Sequence, residues 1–311
     1  MSFRMSHSSR AALHTCARRF DLLRLKQFLQ SDKEYQEGLE DNEDLIYGQA
    51  IGAGFQELLI TQDIDAAIYA AFLQYSFNEN EVKGKIWDSI TWSILQLNDN
   101  FDWDRYKPIN ETAQEVGIRV WLDREKKLPP FVIFIDLVLF DTLSGVPTTL
   151  EIKTTGMTRH DLAPMYRNSS QAFGYSIFLP YIYPQFLNRT FNTLYLVNQV
   201  VKNWKSKLQM YSFPANKKNR IAWIRSLLMD YKILQFYLDE DFFPMNGNNC
   251  LHFNKICPLY ELCDMTTLPG KEARDLRVFP ENVDSIDEKI SKELFLEDVL
   301  EAEMRFSHEP D

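Results

Sequence analysis

The stretch that decides the fold is Phe131–Gly156, FVIFIDLVLFDTLSGVPTTLEIKTTG, with QAFGY (171–175) a short way behind it. Two apolar runs, Phe131–Phe140 and Val146–Ile152, are rich in β-branched and aromatic residues and predict strands. Asp141, Ser144 and Gly145 supply turn chemistry between them, so the runs predict a hairpin with a loop of a few residues. Asp136 falls inside the first run, and Glu151 and Lys153 close the second. Being two positions apart, Glu151 and Lys153 share one face of the sheet. A carboxylate in an apolar strand is costly to bury unless it is paired or holds a metal. Two such carboxylates with a lysine beside them suit metal-dependent phosphodiester hydrolysis. The acids hold one or two Mg²⁺ or Mn²⁺ ions, which acidify water and clamp the scissile phosphate, while the lysine positions water and offsets developing charge.

The E-x-K pattern alone proves nothing, because Glu81-Val82-Lys83 and Glu125-Lys126-Lys127 match it too. Both lie in polar stretches with no strand around them. Glu151 differs in ending an apolar strand that follows another apolar strand containing Asp136. A surface ion pair at a strand end is the plain alternative for Glu151 and Lys153.

Downstream, DLAPMYRNSSQAFGYSIFL (161–179) predicts a helix with Gln171 and Tyr175 four apart on one face. The order D…E-x-K…Q-x-x-x-Y resembles the RecB-like branch of the PD-(D/E)XK nuclease superfamily. The resemblance implies a restriction-endonuclease-like α/β core, a mixed sheet flanked by helices. It implies catalytic roles for Asp136, Glu151 and Lys153, and metal ligation by Asp136, Glu151 and the carbonyl of Ile152. Gln171 and Tyr175 would face DNA and hold the substrate strand. In the family a G-x-x-x-H helix also brings a histidine to the metal. Here LIYGQAIGAGFQELL (45–59) runs from Gly48 to Gly52 at that position, so the histidine is absent. Gln56 or Glu57, one turn on, are the candidate substitutes, and the number of metals stays open. The three glycines of this segment, Gly48, Gly52 and Gly54, predict close backbone packing, since each disfavours helix by up to about 1 kcal/mol.

Four cysteines fall one-plus-three: Cys16, then Cys250, Cys257 and Cys263. With no secretory leader expected, disulfides are not, and four thiolates suit tetrahedral ligation of zinc or an iron–sulfur centre. The segments CARRFDLLRL (16–25) and CLHFNKICPLYELC (250–263) resemble the iron-binding frame of the AddB nuclease subunit and the CRISPR-associated exonucleases. That resemblance implies a [4Fe–4S] cluster held by all four cysteines, with His252 a bystander. The cluster would form a helical iron–sulfur appendage from both chain ends. By analogy with a covalent crosslink closing so long a loop, it would stabilise the chain by at most about 5 kcal/mol.

At 311 residues and 45% apolar, the chain can bury a substantial core, and it contains no apolar run of membrane-spanning length. The net charge of −10 is concentrated: residues 281–311 hold eleven acids against three bases, leaving the rest near neutral. Basic groups that could track a phosphate backbone are Arg10, Arg18, Arg19, Arg24 and Lys26, then Lys202, Lys205 and Lys207, then Lys217, Lys218 and Arg220. Helices are further predicted over 9–30, 62–75, 81–97 and 218–239, strands over 112–123, 192–201 and 207–215, and a polar connection over 31–44. The expected organisation is an N-terminal helix and connection (1–44), a nuclease core (45–240), a cluster-binding segment (241–270) and an acidic tail (271–311).

These readings converge on a metal-dependent nuclease. The expected activity is that of an exonuclease on single-stranded DNA or DNA ends, in recombination, repair or phage DNA metabolism, in the cytoplasm of a bacterial or phage-infected cell. No GxxxxGK[ST] helicase motif is present. The acidic tail offers a contact for a helicase, a recombinase or a single-strand-binding protein. The alternative is a weakly active or inactive nuclease fold that binds DNA ends or serves as an adaptor.

Overall fold

A computed structural model describes residues 4–22, 43–76, 84–109, 116–156, 161–186, 191–200, 206–252, 255–257, 259–263 and 290–305. The connection expected over 31–44 lies outside them up to residue 42, as do Glu81-Val82-Lys83, Arg24, Lys26, Lys202, Lys205 and most of the acidic tail. In chain order the helices α1 (His7–Thr15), α2 (Ala17–Phe20), α3 (Glu43–Thr61), α4 (Ile64–Ser76) and α5 (Gly84–Asn100) come first. Strands β1 (Tyr106–Pro108), β2 (Val116–Trp121), β3 (Phe131–Ile135), β4 (Leu137–Asp141) and β5 (Val146–Thr155) follow. Helices α6 (Ala163–Arg167) and α7 (Ser170–Phe178) lead to β6 (Asn192–Val200), β7 (Ser206–Pro214) and α8 (Lys217–Asp239). Last are β8 (Leu251–His252), β9 (Lys255–Ile256), α9 (Tyr260–Cys263), β10 (Ile290–Phe295) and α10 (Leu296–Arg305). The architecture is mixed α/β, with mixed sheets flanked by helices.

Two compact units result. Glu37–Val116 with Phe134–Arg220 forms one; Met1–Gln36, Gly117–Ile133 and Ile221–Asp311 form the other. The first is built on a five-stranded sheet of order β1-β4-β5-β6-β7, antiparallel throughout except for the central β5/β6 pair. Period-two alternation along β5 divides its side chains between two layers. Leu150 and Ile152 join Leu137, Leu139, Leu194 and Leu196 in a core against α3, α4 and α5. Glu151 and Lys153 necessarily turn to the opposite face, where Gln171 and Tyr175 of α7 meet them.

The expected strand Phe131–Phe140 is in fact two strands, with Asp136 at the bend between them. The cause is topological: β3 pairs in a three-stranded sheet of order β10-β2-β3, whereas β4 pairs in the five-stranded one. A residue between two ladders belongs to neither. The second expected strand is longer than predicted and continues to Thr155, because β6 pairs with it as far as Thr155 opposite Gln199. Glu151 and Lys153 therefore sit inside β5, not at its end. The helix expected over 161–179 is two helices, interrupted at Asn168 and Ser169, and Gln171 and Tyr175 both fall on the second. The first helix likewise breaks at Cys16, whose backbone is extended (φ −161°, ψ 111°).

The hairpin turn is pinned by Asp141. Its carboxylate accepts from the Leu143 and Ser144 amides at 3.0 and 3.4 Å and from Arg105 Nε and Nη2 at 2.9 and 2.8 Å. Gly145, at φ +66°, supplies the left-handed residue that closes the turn. The Arg105 hydrogen bond, opposed by burial and aided by Ser144 and Leu143, lowers the Asp141 pKa to about 2. Among the α3 glycines, the close packing expected from the sequence is real at Gly54, where a Cβ would stand 2.7 Å from Ile94 Cδ1 and 3.1 Å from Ala71 Cβ. At Gly52 a Cβ would meet nothing within 4 Å.

In the other unit, Arg10 is buried in an ion pair with Asp230 of α8 and donates to Ser226 Oγ at 2.5 Å. It is therefore committed to this unit's interior and is removed from the basic residues open to a phosphate backbone. Part of the acidic tail is also structured. β10 pairs in parallel with β2, Glu293 accepts from Arg119 at 2.7 Å, and Asp298 of α10 accepts from Arg124 at 2.6 Å. No helix of the described residues is long and apolar enough to cross a membrane.

Candidate active site

The site grows from one buried carboxylate. Glu151 is at the middle of β5, and both of its oxygens are held from its own face of the sheet. Lys153 Nζ, two residues along the strand, donates to Oε1. Oε2 accepts from the Tyr175 hydroxyl at 2.8 Å and from Gln171 Nε2 at 2.9 Å. The amide of Gln171 is used at both ends: its oxygen accepts from Lys153 Nζ at 3.3 Å, while its nitrogen also donates to the Tyr175 hydroxyl. The four-residue spacing of Gln171 and Tyr175 places both on the α7 face that covers β5. Four residues identified from the sequence thus form one hydrogen-bonded group.

Burial distinguishes this E-x-K from its decoy. Glu125 and Lys127 also form an ion pair, but with side chains 69% and 75% exposed. Glu151 is 4% exposed and Lys153 37%. The decoy is a solvated surface pair; Glu151 is a carboxylate whose desolvation is offset by charge-assisted hydrogen bonds.

Asp136 belongs to the same locality. Burial first, then the carboxylates of Glu151 and Asp136, hold the Tyr175 phenol well above its ordinary range. Two carboxylates therefore act on a single hydroxyl, which stays protonated and donates to Glu151. Tyr175 itself is 1% exposed. No ring face is open to a base, so the expected contact of this ring with a DNA strand gives way to a role in holding Glu151. Gln56 and Glu57 are half-buried on α3, and neither is a partner of Glu151. Sequence reasoning missed Tyr195, which register places beside Glu151 on β6. It is fully buried and stacked on Tyr166 at 4.7 Å. Its place in the apolar run LYLV of the strand that follows the catalytic hairpin was the available signal.

Among the described residues, no three or more His, Cys, Asp and Glu side chains are arranged as a metal-binding group. Asp136 and Glu151 nevertheless fit a hard divalent cation. Mg²⁺ is commonly held by one or two carboxylates together with substrate phosphate and water, not by a full protein cage. Ile152 packs its side chain into the helical layer, and its carbonyl is the one metal-ligating atom it can offer.

The cysteines lie in the other unit. All four are free thiols, Cys16 buried and the others half-buried. Burial pushes the Cys263 thiol up, and Cys16, Cys257 and Cys250 push it further while Arg18 opposes them, so the other three sulfurs lie within electrostatic reach of Cys263. Backbone ties agree. The Thr15 carbonyl accepts from Asn246 and Asn249 side chains at 3.0 and 2.6 Å, and the Cys257 amide donates to the Cys250 carbonyl at 2.8 Å. Four thiols are the donor type that iron–sulfur or zinc ligation uses, but these four are not arranged as a metal-binding group.

No protein-family model matches the chain, and no curated protein matches it. Among solved structures, a protein from Eubacterium rectale described as a "putative exonuclease" superposes with a TM-score of 0.46 at 11% identity, covering 93% of this chain and 94% of that one. The protein SSO0001 superposes with a TM-score of 0.24 at 13% identity, covering 65% of this chain and 87% of that one. Neither likeness is close enough to carry chemistry, and the reading of the site rests on its own geometry.

Proposed function

We propose that this protein is a divalent-metal-dependent nuclease that hydrolyses DNA phosphodiesters, acting as an exonuclease on single strands or DNA ends. The observation that carries this reading is Glu151, a buried strand carboxylate held by Lys153, Gln171 and Tyr175, with Asp136 at the adjoining strand break. A cation bound there supplies Lewis-acid polarisation of the scissile phosphate and lowers the pKa of attacking water. Asp136 and Glu151, with the Ile152 carbonyl, would hold it. Lys153, on the exposed side of Glu151, positions water and offsets charge on the reacting phosphate. Tyr175 and Gln171 hold the Glu151 carboxylate in one orientation, which preorganises the site before substrate arrives.

Cys16, Cys250, Cys257 and Cys263 would hold a [4Fe–4S] cluster with a structural role, as the resemblance to AddB-type nucleases implies. Recombination, repair or phage DNA metabolism is the setting that matches an end-directed DNA nuclease. The reading is tested by incubating end-labelled single-stranded DNA with the protein in Mn²⁺, in Mg²⁺ and in EDTA. Metal-dependent shortening is expected; intact DNA in all three would overturn it.

A further inference from the structure

The sheet face that carries Glu151 continues past the catalytic strand. Register sets Glu151 beside Tyr195 on β6, and Tyr195 beside Tyr211 on β7; Thr149, Thr193 and Phe213 make the next row. Tyr195 and Tyr166 form the buried end of an aromatic group. Tyr211 and Phe213 form its half-exposed end, on the edge strand β7, with rings 11° from parallel and centroids 6.2 Å apart. The guanidinium of Arg167, an exposed residue at the end of α6, lies over the Phe213 ring, 5.8 Å from its centroid.

We propose that Tyr211, Phe213 and Arg167 form a stacking platform for unpaired bases of a polynucleotide strand that enters the Glu151–Lys153 site. The proposal rests on the nuclease reading and gives it a substrate form. Neighbouring strands are about 4.8 Å apart, so Tyr211 stands two spacings, about 10 Å, from Glu151 along the sheet. That separation suits a base adjoining the phosphate at the carboxylates. Half-exposed aromatic side chains at a sheet edge suit any base, because every base has a π-face, and Arg167, already lying over Phe213, adds a cation for the backbone and a planar group that stacks. A duplex hides its base faces by stacking them on one another; an unpaired strand presents them.

The test is fluorescence anisotropy with a labelled oligothymidylate and an abasic oligonucleotide of the same length, in EDTA so that nothing is cut. Tyr211→Ala and Phe213→Ala should each weaken oligothymidylate binding by about 5- to 150-fold, the range of one stacked base, and leave abasic binding unchanged. Tyr211→Phe should keep the affinity and Phe213→Leu should lose it, which decides the matter if the alanine variants do not fold. Met210→Ala, on the opposite face of the same strand and 43% exposed, should be silent. Folded variants that bind like wild type, or that lose equally on both oligonucleotides, would overturn the platform. Wild-type cleavage of the oligothymidylate in Mn²⁺ separates the two readings: cleavage with unaffected variants removes only the platform. Neither cleavage nor binding by wild type removes both.

Discussion

The Tyr175 hydroxyl lies 2.8 Å from Oε2 of Glu151, and its side chain is 1% exposed. The carboxylate is thus fixed from behind by a helix that follows the hairpin in sequence, leaving Lys153 on the more open side. Removing the hydroxyl while keeping the ring isolates this contact. Tyr175→Phe should lower kcat about 10- to 150-fold, the equivalent of a hydrogen bond to a charged group worth about 1.5–3 kcal/mol. Affinity for oligonucleotide in EDTA should not change. Steady-state kinetics beside anisotropy would show it, and wild-type kcat in Tyr175→Phe would deny the positioning role.

Acid stability should report on Asp141. Its folded pKa of about 2 is below its ordinary value of 3.8, so its contribution is complete above about pH 4 and is lost as pH falls through 2. Arg105 is 35% exposed, so screening limits the loss in Asp141→Asn to about 1–2 kcal/mol at neutral pH. Urea melts from pH 7 to 2 should show wild type approaching the variant at the acid end. A constant gap at every pH would mean that the charge is not involved.

The α3 glycines should separate cleanly. Gly54→Ala forces a methyl group against Ile94 and Ala71 and should cost about 1–3 kcal/mol. Gly52→Ala meets open space and should stabilise the helix by up to about 1 kcal/mol. Thermal melts of the two proteins would show shifts of opposite sign.

Much of this fold was legible because its elements bury one face. The β6 segment carries a short continuous apolar run and the α8 segment a 3.6-residue apolar pattern, and the structure places a strand and a helix there. Glu151, Lys153, Gln171 and Tyr175 were legible for the same reason: strand and helix periods put each pair on one face. What failed were places where topology overrides a local run. The break at Asp136 follows from β3 and β4 serving different sheets, which no window of apolar residues contains. β10 was invisible because ISKELF is largely exposed and shows no alternation of burial; backbone pairing with β2 and ion pairs to Arg119 and Lys126 hold it. Tyr175 suggested a base contact as an aromatic near a nuclease motif, but its burial depends on how α7 meets β5.

Protein purified without oxygen should be brown and contain about four iron and four sulfide per chain, since four thiolates complete the ligand set of one cubane. Cys16→Ala should lose iron and melt at a lower temperature, whereas chelating the hydrolytic metal should stop cleavage and leave the colour. Metal analysis and visible absorbance check this. Stoichiometric zinc without iron would make the site a zinc clasp, and absence of any metal with unchanged stability in Cys16→Ala would end the cluster assignment.

If Asp136 and Glu151 direct a metal-dependent cut, end-labelled single-stranded DNA in Mn²⁺ will show it. Wild type should shorten the strand, and Asp136→Asn and Glu151→Gln should each slow it at least about a hundredfold while oligonucleotide binding in EDTA stays near wild type; Glu151→Gln should also melt lower, because it sets an amide donor against the donors that hold the carboxylate. Lys127→Ala, in the exposed decoy pair, should cut normally. Undiminished cleavage by Asp136→Asn or Glu151→Gln would remove these carboxylates from the reaction.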